Sequence, residues 1–263
     1  MKLLLIGCGN LGSSLLKAWS QEHLNYEILV VQPSLSAQNL YRDSDFITFV
    51  STEKDIPKSF TPDVTILAIK PQQLKIVAPN YKEYFKNSLV ISLLAGTTIQ
   101  DLTEHTQTHR VVRIMPNIAM KIKESVNLTY AHKEIALQDK ESVNQLLHVS
   151  GEMIWLSSET LIDLLTPLSG SGPAYFFLLA EILTQLTIKS GVEELTARRL
   201  IQKTFLGSAL ISSNNLNYPE LIQSVTSKGG VTEAALKTLK PILTQGMDEA
   251  FHAAIQRLNE LSS

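Results

Sequence analysis

The chain has 263 residues, and 23 Lys and Arg against 25 Asp and Glu give a formal net charge of −2. That balance offers no basic field to nucleic acid or to an acidic membrane surface. A single cysteine, Cys8, excludes a disulfide framework and fits a reducing cytoplasm, while the length suits two domains or one large one.

Leu3, Leu4, Leu5 and Ile6 form an apolar run too short for a signal-peptide core, and it reads as a first strand. It passes directly into Gly7-Cys8-Gly9-Asn10-Leu11-Gly12, after which Leu11, Leu15, Leu16 and Trp19 fall on one side of a helix. Strand, glycine turn and helix together are the context of a dinucleotide-binding fingerprint. Gly7 allows the tight turn, Gly9 lets backbone approach a pyrophosphate, and Gly12 permits close helix–strand packing. The helix N-terminus adds N–H donors for the anion. Within this turn Cys8 reads as a small filler rather than a reactive thiol.

Tyr26 to Val31 is the second strand, ending at Gln32-Pro33-Ser34. An acid at that strand end would bond the 2′-hydroxyl of NAD and repel a 2′-phosphate. The chain has Gln32, then Ser34 and Ser36, with no Asp or Glu before Asp43 and no Arg before Arg42. The missing acid favours NADP(H), with NAD(H) as the alternative.

Phe46 to Val50, Asp63 to Ile69 and Leu89 to Leu94 read as further strands. The second of these ends at Lys70-Pro71-Gln72. The third ends at Ala95-Gly96, where Thr97-Thr98 leads into a helix over Ile99 to His105. Val111 to Met115, stopped by Pro116-Asn117, then Val126 to Tyr130 and Glu152 to Leu156 complete the set. Alternation of strands with helical stretches predicts a doubly wound, mainly parallel sheet, hence an α/β Rossmann-type domain over residues 1–157.

From Leu161 onward only helical patterns remain, so residues 158–263 form an all-helical domain. Ser171-Gly172-Pro173 opens a helix, Tyr175 to Ile188, that is apolar nearly all round and should be buried on both faces. Glu181, Gln185 and Lys189 interrupt it, which argues for a buried helix of a soluble protein rather than a membrane span. It is either the centre of a monomeric bundle or, as favoured, a dimer interface. Thr196 to Ser212, Pro219 to Val225, Glu233 to Leu239 and Pro241 to Leu258 are the remaining helices.

Seven of the twelve glycines fall in three clusters, at 7/9/12, 170/172 and 229/230. Gly229-Gly230-Val231-Thr232 precedes a helix, so it is either an ordinary turn or a second anion site suited to a small carboxylate. Histidines at 23, 105, 109, 132, 148 and 252 make no convincing metal set. His105 and His109 are four apart but lack a third ligand, so no metal is expected. A Ser-His-Asp signature, paired carboxylates, a Walker A loop and a cysteine nucleophile are all missing. A bound nicotinamide carries its own hydride, so this inventory suits a reduction needing little proton relay, such as that of a protonated imine.

Taken together, the motifs resemble the pyrroline-5-carboxylate reductase family over nearly the whole chain. The resemblance rests on Gly7 to Gly12, Ala68-Ile69-Lys70-Pro71-Gln72, Ala95-Gly96 and Arg113-Ile114-Met115-Pro116-Asn117. It continues through Leu168-Ser169-Gly170-Ser171-Gly172-Pro173-Ala174-Tyr175 and ends at Ser227-Lys228-Gly229-Gly230-Val231-Thr232. It implies NADPH-dependent reduction of 1-pyrroline-5-carboxylate to L-proline, by hydride transfer to the imine carbon. Gly7, Gly9, Asn10, Leu11, Gly12, Gln32, Pro33, Ser34, Ala68, Ile69, Lys70, Pro71, Leu94, Ala95, Gly96 and Asn117 would then line the cofactor site. Ser227, Gly229, Gly230, Val231 and Thr232 would hold the substrate carboxylate, with the Thr232 hydroxyl near the ring nitrogen as the catalytic group. The helical domain would form a homodimer whose partner helices complete each active site, and dimers would stack into a larger ring.

This sequence departs from the family where Lys228 replaces a proline and Val231 a threonine of the glycine loop. It departs again where Ile118-Ala119-Met120 replaces Thr-Pro-Ala, and over Lys121 to Ser125. Two other classes are weighed against a reductase of this substrate. One is a dehydrogenase of another small imino or hydroxy acid; the hydroxy-acid type would want a lysine base on the first long helix, where Lys189 lies at the far end. The other is a non-catalytic NADP-binding regulatory protein.

Overall fold

The computed structural model describes residues 1–22, 26–34, 41 and 44–262. Its organising strand is β1 (Lys2–Ile6), whose Leu3 and Leu5 pack into one apolar cluster and Leu4 and Ile6 into another. Alternate side chains leave opposite faces of a strand, so a continuous apolar run fits only a strand covered on both sides. β1 pairs in parallel with β2 (Glu27–Val31) and β4 (Val64–Leu67). Outward from these lie β3 (Ile47–Val50) on one side and β5 (Leu89–Ser92) and β6 (Val111–Met115) on the other. With β7 (Ser125–Ala131) and β8 (Gly151–Trp155) the sheet order is β3-β2-β1-β4-β5-β6-β7-β8. All eight expected strands form.

The β6–β7 pair alone is antiparallel, so β7 and β8 run opposite to the other six strands. Residues 116–124 connect β6 to β7, fewer than the dozen or so that a parallel crossover needs. Helices α1 (Asn10–Gln21), α2 (Leu74–Val77), α3 (Lys82–Phe85), α4 (Ile99–Thr106) and α5 (Leu137–Leu147) cover the sheet, and α6 (Thr160–Ser169) follows β8. The Trp19 indole N–H donates to the Leu146 carbonyl at 2.8 Å, fixing α1 to α5 on one face.

The chain divides into two compact units, Met1–Ser171 with Arg257–Ser263, and Gly172–Gln256. The first unit thus runs past residue 157 and includes α6. The second contains α7 (Gly172–Lys189), α8 (Glu194–Ser212) and α9 (Tyr218–Ser224); α10 (Val231–Ser262) starts within it.

One expectation for the helical half is corrected, and of the two readings of the Tyr175 to Ile188 helix the centre of a monomeric bundle is disfavoured. Two helices expected at 233–239 and 241–258 are one, because α10 continues through Pro241. A proline removes one backbone donor and crowds the preceding turn, which weakens a helix without obliging it to end. α7 is also not enclosed within the single chain. Phe176, Phe177, Leu178, Ile182 and Leu186 are 49–62% exposed, and only Gly172 and Thr184 are buried along the helix. An apolar surface of this extent marks an association face. Among the described residues, no helix is long and apolar enough to cross a membrane.

Candidate functional site

The glycine turn after β1 is shaped by the fold at two positions and by nothing in the chain at the third. Gly7 has φ +91°, and a Cβ there would lie 2.7 Å from the Ala68 carbonyl oxygen. A Cβ on Gly12 would lie 2.6 Å from the Gly7 oxygen. Both glycines are therefore required by close packing of α1 against the ends of β1 and β4. Gly9 has no atom within 4 Å of where its Cβ would stand. Open space beside an exposed glycine leaves room for a ligand to approach the backbone.

The N-terminus of α1 supports the same reading. Its N-cap is Gly9, no side chain caps it, and no acid occupies its first turn. By contrast, the start of α4 is closed by the protein itself. The Asp101 N–H donates to the Thr98 hydroxyl at 3.0 Å, the Thr98 N–H to the Asp101 carboxylate at 3.1 Å, and the Ile99 N–H to the Glu159 carboxylate at 2.6 Å. Of these two helix starts, α1 is the one left for an external anion. It lies where strand order reverses between β1 and β4, the place where doubly wound sheets bind ligands.

β1, β2, β4, β5 and β6 run parallel, so their carboxyl ends, which carry the expected cofactor residues, lie at the same end of the sheet as this turn. Gln32 follows β2, and its Oε1 accepts from the Cys8 N–H at 2.7 Å. A residue expected to face a ribose thus also braces the glycine turn. Cys8 is buried, and burial pushes its thiol above the usual range, which suits a filler and not a nucleophile. Pro33 and Ser34 are exposed. Ser36, Arg42 and Asp43 lie outside the described residues, as does His23. Ala68 packs on Gly7 and Gly12, and Lys70 donates its N–H to the Gln73 side chain at 3.1 Å. After β5, Leu94 is buried, Ala95 is exposed and Gly96 adopts φ +68°. Asn117 has its amide engaged by the protein: Nδ2 donates to the Ser169 carbonyl at 3.1 Å and Oδ1 accepts from the Ala119 N–H at 3.0 Å. It fastens the end of β6 to the end of α6.

The residues expected to hold substrate lie in the second unit, at the start of α10. Gly230 donates its N–H to the Ser227 carbonyl at 2.9 Å, and a Cβ on Gly230 would overlap the Ser227 hydroxyl. Gly229 has φ +76° and donates its N–H to the Glu233 carboxylate at 2.6 Å. The turn therefore does hold a carboxylate, one from its own helix. Val231 is fully open to solvent and Thr232 is half-buried.

Sequence reasoning missed Glu233, although its place in the first turn of a helix is the capping spacing. It also missed the network around Arg113. This guanidinium is 2% exposed and donates to Glu159 at 3.0 Å and to Asp163 at 2.5 Å. A lone cation inside the apolar strand Val111-Val112-Arg113-Ile114-Met115 was the signal, since a buried charge requires partners. Glu159 and Asp163, four apart, supply them from one helix face. A third miss concerns histidine: His109 meets His132 and Glu134, not His105.

Comparison with known proteins adds family to geometry. Residues 159–261 match a family described as pyrroline-5-carboxylate reductase dimerisation, and residues 2–96 one described as NADP oxidoreductase, coenzyme F420-dependent. The pyrroline-5-carboxylate reductase of Pseudomonas aeruginosa is 32% identical over 99% of this chain and 97% of its own length. That of Haemophilus influenzae is 30% identical over 98% and 96%. A solved pyrroline-5-carboxylate reductase from Coxiella burnetii superposes with a TM-score of 0.90 at 30% identity, covering 99% of this chain and 98% of that one. A Plasmodium falciparum pyrroline carboxylate reductase with NADP bound has the same fold at a TM-score of 0.85 and 24% identity, with 100% and 98% covered.

Proposed function

We infer, from the chain's membership of the pyrroline-5-carboxylate reductase family, that this protein catalyses the NADPH-dependent reduction of 1-pyrroline-5-carboxylate to L-proline. The single observation that carries the cofactor half is Gly9, which faces open space at an uncapped helix N-terminus. When bound, NADPH supplies the hydride that reduces the imine carbon.

The chain's own part is to bind, orient and exclude water. Gly7 to Gly12 hold the pyrophosphate against the start of α1. Gln32, its oxygen already accepting from Cys8, presents amide donors at the ribose end; these suit a 2′-phosphate, and NAD(H) is the second-choice cofactor. Ser34 adds a hydroxyl beside them, and Ala68 to Pro71 with Leu94 to Gly96 form the walls. Ser227 and Gly229 to Thr232 take the substrate carboxylate, displacing Glu233 from the Gly229 N–H. The Thr232 hydroxyl holds the ring nitrogen and its proton.

The exposed face of α7 packs against a second copy to give a homodimer, in line with the dimerisation family matched by this region. A larger ring of dimers and residence in the cytoplasm extend the same reading. The domain division proposed is a dinucleotide-binding part up to 157 and a helical part from 158.

The test is oxidation of NADPH with 1-pyrroline-5-carboxylate, in wild type and Thr232→Ala. We expect turnover to fall by roughly a hundredfold in the variant, the scale of a lost proton-handling group, with NADPH affinity unchanged. Equal turnover in Thr232→Ala refutes its role. No turnover by the wild type, with NADPH still bound, refutes the reductase reading.

A further inference from the structure

We propose that His109, His132 and Glu134 form a binding site for a divalent transition-metal ion of the zinc class, at the sheet edge opposite the glycine turn. His109 precedes β6 and His132 follows β7. The two strands are antiparallel with Val112 opposite Ala131, so both histidines reach the same end of the sheet. β6 is parallel to the strands that end at the nucleotide turn, so its amino end, and this cluster, lie at the other edge.

The backbone holds the two histidines firmly. The His132 N–H donates to the Val111 carbonyl at 3.0 Å, and the Val111 N–H to the His109 carbonyl at 2.9 Å. Glu134 sits in the turn closed by the Ile135 N–H donating to the His132 carbonyl at 3.0 Å. The neighbouring cation Arg110 is engaged by Asp139 through two bonds and by the Asn87 carbonyl.

His109 Nδ1 and His132 Nε2 stand 3.2 Å apart. Two ring lone pairs at that separation repel unless a proton or a cation lies between them. For Zn–N bonds of about 2.0–2.1 Å in a tetrahedron, two ligand atoms sit about 3.3 Å apart, so the pair already spans one edge of that polyhedron. A Glu134 carboxylate oxygen and one ring nitrogen of each histidine all lie within 4.8 Å of one another. Its exposed side chain closes the remaining gap by a change of rotamer. Two imidazoles, one carboxylate and a solvent-facing fourth position make the donor set that borderline divalent ions prefer over Mg²⁺ or Ca²⁺. The cluster borders a depression of ≈ 530 Å³ that Glu104 and Glu159 also line, together with Lys133.

Without metal, the His132 Nδ1 accepts from the Glu134 N–H at 3.2 Å, so Nε2 carries the proton and donates to His109. Metal capture moves that proton to Nδ1 and gives up this long bond. The site is therefore weaker than a closed four-ligand centre, and its ion is exchangeable. Once bound, the ion clips together the open ends of β6 and β7 and stabilises the folded chain by mass action.

The test is calorimetric titration of ZnCl2 into the untagged, chelator-stripped full-length protein, with a thermal melt in parallel. The expected result is one ion per chain with a dissociation constant on the order of micromolar, and a melting temperature that rises with zinc. His109→Ala and His132→Ala should weaken binding by roughly tenfold or more and abolish the zinc-dependent rise in melting temperature. Glu134→Gln, in an exposed turn, should weaken it less and serves as the variant least able to disturb folding. Absence of binding by the wild type overturns the proposal, as does binding that persists unchanged in all three variants. NADPH oxidation by the same variants reads the reductase activity separately, since none of them belongs to that site.

Discussion

The Gly229 N–H donates to the Glu233 carboxylate at 2.6 Å, so the glycine turn of the helical unit is already holding an anion from the first turn of its own helix. If this turn takes the substrate carboxylate as proposed, that carboxylate has to compete with Glu233. Glu233→Ala is expected to lower the KM for 1-pyrroline-5-carboxylate by about two- to fivefold, the scale of one hydrogen bond of roughly 1 kcal/mol, with kcat little changed. Steady-state kinetics check this. A raised KM would show that Glu233 orders the turn for substrate instead.

The three glycines of the nucleotide turn should separate cleanly under substitution. Gly7→Ala and Gly12→Ala place a methyl group against backbone at 2.7 and 2.6 Å and should each destabilise by about 1–3 kcal/mol. Gly9→Ala meets no protein atom and should cost under about 1 kcal/mol. It should nevertheless weaken NADPH binding by roughly tenfold or more, because the methyl group occupies the approach to the pyrophosphate. Chemical denaturation and fluorescence titration of NADPH make the comparison. A Gly9→Ala protein that binds NADPH normally would remove the cofactor from this turn.

Arg113 is enclosed while its partners are partly wet, with Glu159 25% and Asp163 36% exposed at the side chain. Removing the cation leaves carboxylates that reach water, so Arg113→Met should cost only about 1–3 kcal/mol. Neutralising both partners in Glu159→Gln/Asp163→Asn leaves an uncompensated buried charge and should cost more, about 3–5 kcal/mol. The order of the two denaturation midpoints is the measurement. The reverse order would contradict this account of the network.

Alkaline stability should depend on Tyr81. Burial, with help from Glu53 and Tyr84, pushes its hydroxyl up to about 12, against about 10 in the unfolded chain. The folded state favours the neutral form, so this contribution is complete below pH ~10 and is lost as pH rises toward ~12. Tyr81→Phe should flatten the decline of unfolding free energy over that window. An unchanged slope in denaturation series at several pH values would show that Tyr81 ionises freely.

Much of this protein was legible from its sequence because the relevant physics is local. The run Leu3 to Ile6 declares a strand covered on both faces, and the glycine spacing at 7, 9 and 12 declares the turn that follows. Proline and glycine also mark the start of α7. Helix length was less legible: Pro241 suggested a stop, but a proline only weakens a helix, and α10 runs through it.

What only the tertiary structure decided are the meetings between residues far apart in the chain. Which glycines of the turn the fold requires and which it leaves open depends on Ala68, 61 positions from Gly7, because β1 and β4 are neighbours. Gln32 as a brace for the Cys8 N–H, Arg113 between Glu159 and Asp163, and His109 against His132 are of the same kind. A side chain's chemistry is written in the sequence, but its partner is set by strand order and register. Those follow from how the whole apolar core closes.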